Sequence, residues 1–178
     1  ALVVKDGDPS FWSERAETLS NKKIQEGYFN SGVIFIDLDK WHQLKLTSKA
    51  INLLLDKKFQ TKLKFPDQDA LNFLLSGHVH FIDKKFNSQT SINFELKSPK
   101  KKFYNHNLPD DAVFIHYIGP TKPWHNWSTS YPINEAFNEA KEQSPWKWSA
   151  FQDAKTVSLI RYQAKHYLHQ CKYIRGYI

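Results

Sequence analysis

Short apolar runs in two alternating periodicities constrain this chain more than any other feature. Val33-Ile34-Phe35-Ile36 and Val113-Phe114-Ile115-His116-Tyr117 have the apolar density of buried strands, and residues 1–4 and 79–82 read the same way. Behind Pro66-Asp67, the residues Ala70, Leu71, Leu74 and Leu75 recur at helical spacing, with Gly77 closing the segment. Further helices are expected over roughly 11–20 with Ser10 as cap, from Leu38 to about Leu55, near 133–143, and from about 151 to 175. Residues 84–111 are polar, with little period, and read mostly as loop. Strands alternating with helices, without an internal repeat or linker, argue for an α/β fold. The longest apolar runs are too short to span a bilayer.

Composition narrows the classes. The chain has 178 residues, which suits one domain able to bury roughly two-thirds of its unfolded surface. Apolar residues at 40% and aromatics at 15% exclude a disordered tail. The lone Cys171 excludes a disulfide scaffold and a Cys-based zinc cluster, and it fits a reducing compartment. Lys5 and Asp6 interrupt the apolar opening at once, so no signal peptide is read there. Soluble cytosolic material is the expectation. A strand at residues 1–4 with no leader suggests the later part of a longer protein.

The formal charge is +7, from 25 Lys+Arg against 18 Asp+Glu. Beyond Asp153 no acidic residue remains, while Lys155, Arg161, Lys165, Lys172 and Arg175 are basic. The positive signal therefore belongs to the tail. There Val157, Ile160, Ala164, Tyr167, Cys171, Ile174 and Ile178 fall three or four apart, and Lys165, Lys172 and Arg175 lie off that stripe. A basic amphipathic helix over 151–178 is expected, with residues 155–178 suited to an anionic membrane surface. The alternative is a final helix packed on its own domain.

Two kinds of residue cluster could carry chemistry. The first is the Asp-x-Asp pair, present as Asp6/Asp8, Asp37/Asp39 and Asp67/Asp69. Paired carboxylates beside a strand end suit a hard divalent cation that also holds phosphate oxygens. On local grounds Asp37/Asp39 is the favoured pair, and the alternative is a strand end followed by a helix N-cap, which Asp39 suits. The second is the loop from His116 to His125. A His at a strand end can offer a ring nitrogen to a metal, Gly119 permits close backbone approach, and Lys122 can reach a phosphate. Trp124 can form an apolar wall. A capped strand with a structural loop is the plainer alternative.

Three ordered motifs carry a family resemblance. They are Tyr28-Phe29-Asn30-Ser31-Gly32-Val33 followed by Trp41, then Asp67-Gln68-Asp69-Ala70-Leu71-Asn72, then His116-x-x-Gly119-x-x-Lys122-Pro123-Trp124. Together they resemble the retaining glycosyltransferases of family eight. Phe86–Gln89, Ser91–Leu96, Phe114–Trp127, Ala140-Lys141, Ser144–Trp146, Arg161-Tyr162 and Ala164–His166 further resemble the bacterial lipopolysaccharide core glucosyl- and galactosyltransferases. The similarity covers nearly the whole chain.

The resemblance implies a nucleotide-sugar transferase (GT-A-like) fold of which this chain is the C-terminal portion. Residues 1–150 would be the sugar-donor and acceptor part, and 151–178 the terminal helix. Asp67 and Gln68 would sit at the donor sugar, Asp67 accepting hydroxyl hydrogen bonds and Gln68 beside the anomeric carbon. Asn30, Ser31 and Asp6 would line the same pocket. Gly119 and Lys122 would hold the diphosphate, with Trp124 beside them, and His116 would ligate Mn²⁺ or Mg²⁺. The family's metal-binding Asp-x-Asp would lie upstream of residues 1–4, and Asp37/Asp39 would be a strand end and helix start. The implied activity is transfer of glucose or galactose from a UDP-hexose to lipopolysaccharide core oligosaccharide. Neutralisation of the leaving diphosphate and a front-face or covalent route to retention would provide it. Without those upstream carboxylates, these residues alone are expected to be inert. The implied setting is cytoplasmic, peripheral on the inner membrane of a Gram-negative bacterium, with no nucleic acid as partner. Two other classes compete: a non-catalytic carbohydrate-binding domain, and a basic, aromatic nucleic-acid-binding module.

Overall fold

In the computed structural model, which describes residues 1–91, 111–128 and 134–152 with positions 160, 164, 167 and 168, the chain forms two units, Ala1–Asn87 and Ser88–Ile178. Strands and helices are mixed along both, as an α/β reading requires. No helix of the described residues is long and apolar enough to cross a membrane.

The first unit begins with strand β1, Leu2–Val3, paired in parallel with β2, His80–Phe81, so that Leu2 faces His80 and Val3 faces Phe81. Leu2 also exchanges two backbone hydrogen bonds with Phe35, at 2.9 and 3.1 Å. That single antiparallel bridge is all that forms of the strand expected at 33–36, and Phe35 and Ile36 stay 39% and 40% exposed. The run is cut short by Asp37, which turns the chain into a helix.

Helix α1, Pro9–Leu19, is capped by Asp8, not by Ser10. The Asp8 carboxylate accepts from the Phe11 N–H at 3.0 Å and from the Ser10 hydroxyl at 2.6 Å, contacts that hold it below the usual carboxylate range, the Ser10 bond first. Pro9 then fits the first helical position, where its missing N–H costs nothing. The single helix expected from Leu38 to Leu55 is two: α2, Leu38–Gln43, and α3, Leu46–Leu55. Between them Lys45 adopts φ 52°, in the left-handed region. Trp41 and Leu46 pack on the same core. Five helical positions rotate a side chain by 500°, about 140° off that face, so an unbroken helix could not bring both inward. Asp37 caps α2, accepting from the Lys40 N–H at 3.0 Å, so the cap expected at Asp39 sits two residues earlier.

Helix α4, Lys57–Gln60, is capped by Asp56, and α5 runs Pro66–Leu75 as expected. Two apolar clusters hold the unit. Ala16, Leu19, Ile24, Tyr28, Phe59 and Ala70 form one, and Val3, Phe29, Leu46 and Leu75 the other. Helix α5 contributes Ala70 to the first and Leu75 to the second, so both clusters fix its orientation.

In the second unit β3, Ser88–Thr90, pairs in parallel with β4, Ile115–Tyr117, in the register Ser88–Ile115, Gln89–His116, Thr90–Tyr117. A 3-10 turn at Lys84–Asn87 and strand β3 thus replace part of the loop expected over 84–111. Ser-Gln-Thr carries no apolar signal, yet Ser88 and Thr90 are buried. Helix α6, Glu135–Glu142, matches the helix expected near 133–143. Most of the basic helix expected over 151–178 lies outside the described residues, as do Ile92–Leu96.

Candidate active site

The head of α5 projects Asp67 and Gln68 into the loop that follows Tyr28. Gln68 is 6% exposed. Its Oε1 accepts from Asn30 Nδ2 at 3.0 Å and from the Ser31 N–H at 3.1 Å, and its Nε2 donates to Asp6 Oδ2 at 3.0 Å. Flipping the amide would set its NH₂ against two donors and its oxygen against a carboxylate, so the network admits one orientation. Asp67, exposed, accepts from the Ser31 hydroxyl at 2.7 Å through Oδ2. Asn30 is itself fixed, its Oδ1 accepting from Asn87 Nδ2 and the Gly32 N–H, each at 3.0 Å. Five residues expected at the sugar site, Asp6, Asn30, Ser31, Asp67 and Gln68, are therefore brought into one hydrogen-bonded group.

Beneath this group lies a buried ion pair that sequence reasoning did not assign. Asp69 is 0% exposed and Arg15 3%. Asp69 Oδ1 accepts from Arg15 Nε at 3.1 Å and the Tyr28 hydroxyl at 2.8 Å; Oδ2 lies 2.9 Å from Arg15 Nη2. Oδ2 also accepts from the N–H groups of Lys64 and Phe65, at 2.7 and 2.9 Å, at the mouth of α5. Phe65 supplies no side-chain cap, so Asp69 takes that role from inside the helix. Burial, and then the Asp69 contact, push the Tyr28 phenol far above its ordinary pKa, so it remains a donor. Arg15 and Asp69 stand 54 positions apart, a separation that carries no local signal.

The local Asp-x-Asp reading dissolves in this geometry. Asp67 faces Ser31 while Asp69 is enclosed; Asp6 holds Gln68 while Asp8 caps α1; Asp37 caps α2 with Asp39 in its first turn. Neighbouring carboxylates were spent on separate structural tasks. Among the described residues no group of three or more His, Cys, Asp or Glu side chains could hold a metal ion. His116 lies in β4 and alone offers one ring nitrogen.

The second unit presents the loop after β4. Gly119 has φ 79°, a conformation that costs other residues about 1–2 kcal/mol. Gly119→Ala is expected to destabilise by that amount in urea titration, and an unchanged midpoint would contradict it. Lys122 Nζ donates to the Tyr117 carbonyl, and the Lys122 N–H donates to His125 Nδ1 at 3.3 Å, which draws the loop closed. Ser128 Oγ donates to the Lys122 carbonyl at 2.7 Å, and Thr121 is buried. Trp124 is 42% exposed and tilts against Phe137, with ring centres 6.1 Å apart, so it offers an apolar surface.

His125 is a second loop residue whose role the sequence left unassigned. Burial, and then the Lys122 charge, hold its imidazole below the usual pKa. The folded loop thus favours the neutral ring, whereas the unfolded chain takes up the proton first. The stabilisation is complete above about pH 6.5 and fades as pH falls toward the folded value. His125→Asn is expected to flatten the loss of stability as pH falls below about 6.5; an unaltered slope would contradict this.

Residues 1–128 match the family model described as glycosyl transferase family 8, and residues 131–178 match its C-terminal model. The chain belongs to glycosyl transferase family 8. This family 8 chain is 42% identical over 177 residues to the lipopolysaccharide glucosyltransferase WaaO of Escherichia coli, covering 99% of this chain and 51% of that protein. It is 39% identical over 176 residues to a lipopolysaccharide 1,3-galactosyltransferase of Salmonella typhimurium, covering 99% and 51%. A lipopolysaccharide 1,2-glucosyltransferase of Escherichia coli matches at 39% over all 178 residues and 52% of its own length. The chain thus spans about half the length of the curated relatives it matches. Its fold resembles the crystal structure of an active-site mutant of LgtC, with a TM-score of 0.55 and 24% identity over 85% of this chain and 55% of that one.

Proposed function

We propose that the protein carrying this chain is a retaining hexosyltransferase of GT-A-like fold. It moves glucose or galactose from a UDP-sugar to lipopolysaccharide core oligosaccharide. The observation that carries this reading is the identity of 39–42%, over essentially the whole chain, to relatives named for lipopolysaccharide glucosyl and galactosyl transfer.

The geometry supports the roles. Ser31 engages one oxygen of Asp67, leaving the exposed carboxylate's remaining capacity for a sugar hydroxyl. Gln68 Oε1 already accepts two hydrogen bonds, which lowers its worth as a nucleophile and favours front-face attack over a covalent intermediate. Its part is then to hold a fixed dipole where positive charge develops at the anomeric carbon. Asp6 and Asn30 keep that dipole aimed. In the second unit, Lys122 uses one ammonium hydrogen on Tyr117 and has two more for phosphate oxygens, while Gly119 allows backbone approach. His116 is assigned one ligand position for Mn²⁺ or Mg²⁺, with the others supplied from outside the described residues. Lys122→Ala is expected to weaken UDP-hexose binding about 10- to 150-fold, since a hydrogen bond to a charged group contributes about 1.5–3 kcal/mol; unaltered affinity would remove Lys122 from the site.

The tail reading is carried forward as part of the same proposal. A basic helix over 155–178 would place the enzyme on an anionic inner-membrane surface, where a lipid-anchored acceptor is met. Deletion of 155–178 should then abolish sedimentation with phosphatidylglycerol vesicles, and retained sedimentation would end this reading. The transfer itself is tested with labelled UDP-glucose and UDP-galactose, a lipopolysaccharide core acceptor and the protein containing this chain. Label should enter the acceptor as an α-glycoside from one donor. A β-linked product would overturn retention, and no incorporation from either donor would overturn the activity.

A further inference from the structure

Asn72 lies on α5 one turn beyond Gln68, and it is 1% exposed. Its carboxamide behaves as a strand backbone would. Oδ1 accepts from the Phe29 N–H at 2.8 Å, and Nδ2 donates to the Phe29 carbonyl at 2.8 Å. The other Nδ2 hydrogen goes to the Gln68 carbonyl at 2.9 Å. On its opposite edge the same segment pairs with β1's continuation: Asp6 N–H to Tyr28 carbonyl at 2.8 Å and Asn30 N–H to Val4 carbonyl at 3.1 Å. The Tyr28–Asn30 segment therefore has chain on one side and a side-chain amide standing in for the next strand on the other. Asn30 and Ser31, the two donors to Gln68 Oε1, follow Phe29 directly.

We propose that Asn72 is a positioning residue for hexose transfer, locking the Phe29–Ser31 segment to α5 so that Asn30 and Ser31 hold the Gln68 amide. This rests on the assignment of Gln68 to the reacting sugar. Asn72 has both hydrogens and an acceptor committed in a buried site, so no smaller or singly polar residue reproduces the lock. Its loss lets the segment and the helix drift relative to each other, and a displacement of about 1 Å can cost as much as 10²-fold in rate.

The test is a double-mutant cycle on hexose transfer by the full protein, with kcat and the KM for UDP-hexose read separately. Asn72→Ala should lower kcat about 10–100-fold while the protein remains folded at the assay temperature. In the Gln68→Ala background the same change should cost less than about twofold, because residues acting as one unit are non-additive. An equal loss in both backgrounds would make Asn72 merely structural and overturn the proposal. Unchanged kcat in Asn72→Ala would overturn it too. If Gln68→Ala itself leaves kcat intact, the assignment of Gln68 fails first, and the proposal with it. Asn72→Asp serves the same cycle should the alanine variant not fold. It keeps the Phe29 N–H acceptor but turns its second oxygen toward two carbonyls, so its kcat should rise as pH falls and the carboxyl regains a donor. A flat pH profile in that variant would contradict the lock.

Discussion

Asp69→Ala is expected to destabilise the protein by about 3–5 kcal/mol, the cost of leaving one member of a buried ion pair without its partner. Arg15 would keep only the Lys62 carbonyl, at 2.8 Å, among its named contacts. The Tyr28 hydroxyl and the N–H groups of Lys64 and Phe65 would lose their acceptor as well. The measurement is the urea midpoint at constant slope, and a shift worth less than about 1 kcal/mol would contradict the account. A buried pair can often be exchanged for apolar residues at no loss. Here the double variant Arg15→Met, Asp69→Leu should still be destabilised, since two backbone N–H groups at the helix mouth have no substitute and each costs about 1–3 kcal/mol unsatisfied. Wild-type stability in the double variant would show that the N–H groups find other partners.

Gln68→Ala is expected to cut kcat for hexose transfer by about 10²–10³, the range found when one preorganised polar group is removed from a charge-developing site. The alanine also releases Asn30 Nδ2, the Ser31 N–H and Asp6 Oδ2 together. Its stability cost should nonetheless fall below that of Asp69→Ala, because no buried charge is orphaned and Asp6 is only partly buried. Steady-state kinetics beside urea titration separates the two effects. A variant whose activity falls only in proportion to its folded fraction would demote Gln68 to a structural residue.

The contrast between these two positions marks what the sequence could and could not disclose. Pro66 favours the first turn, and Ala70, Leu71, Leu74 and Leu75 give the apolar face, so α5 is legible from one window. The ordered motifs containing Asp67-Gln68 and His116 to Trp124 are legible as a family resemblance, and the family assignment agrees with it. The work of Asp69 is not legible, because its partner Arg15 comes from α1 and only tertiary folding joins them. Local spacing gave Asp67 and Asp69 the look of a cation pair, yet on a helix two positions separate side chains by about 200° and send them to opposite sides. The break at Lys45 was hidden for a related reason. Apolar residues at helical spacing on both sides of it imitate one helix, and only the demand that Trp41 and Leu46 reach one core requires two. Strand β3 was missed because Ser88-Gln89-Thr90 is buried by its pairing with β4 rather than by apolar character.

A hexosyltransferase that takes its sugar from a nucleotide donor must bind that donor more tightly than the free hexose. Calorimetric titration of the protein with UDP-glucose and with UDP-galactose, alongside UDP and the free hexoses, measures that preference. One UDP-hexose should bind saturably, and Lys122→Ala should weaken that binding. Binding of free hexose that matches the UDP-sugar in affinity, or no heat from either UDP-hexose, would contradict it.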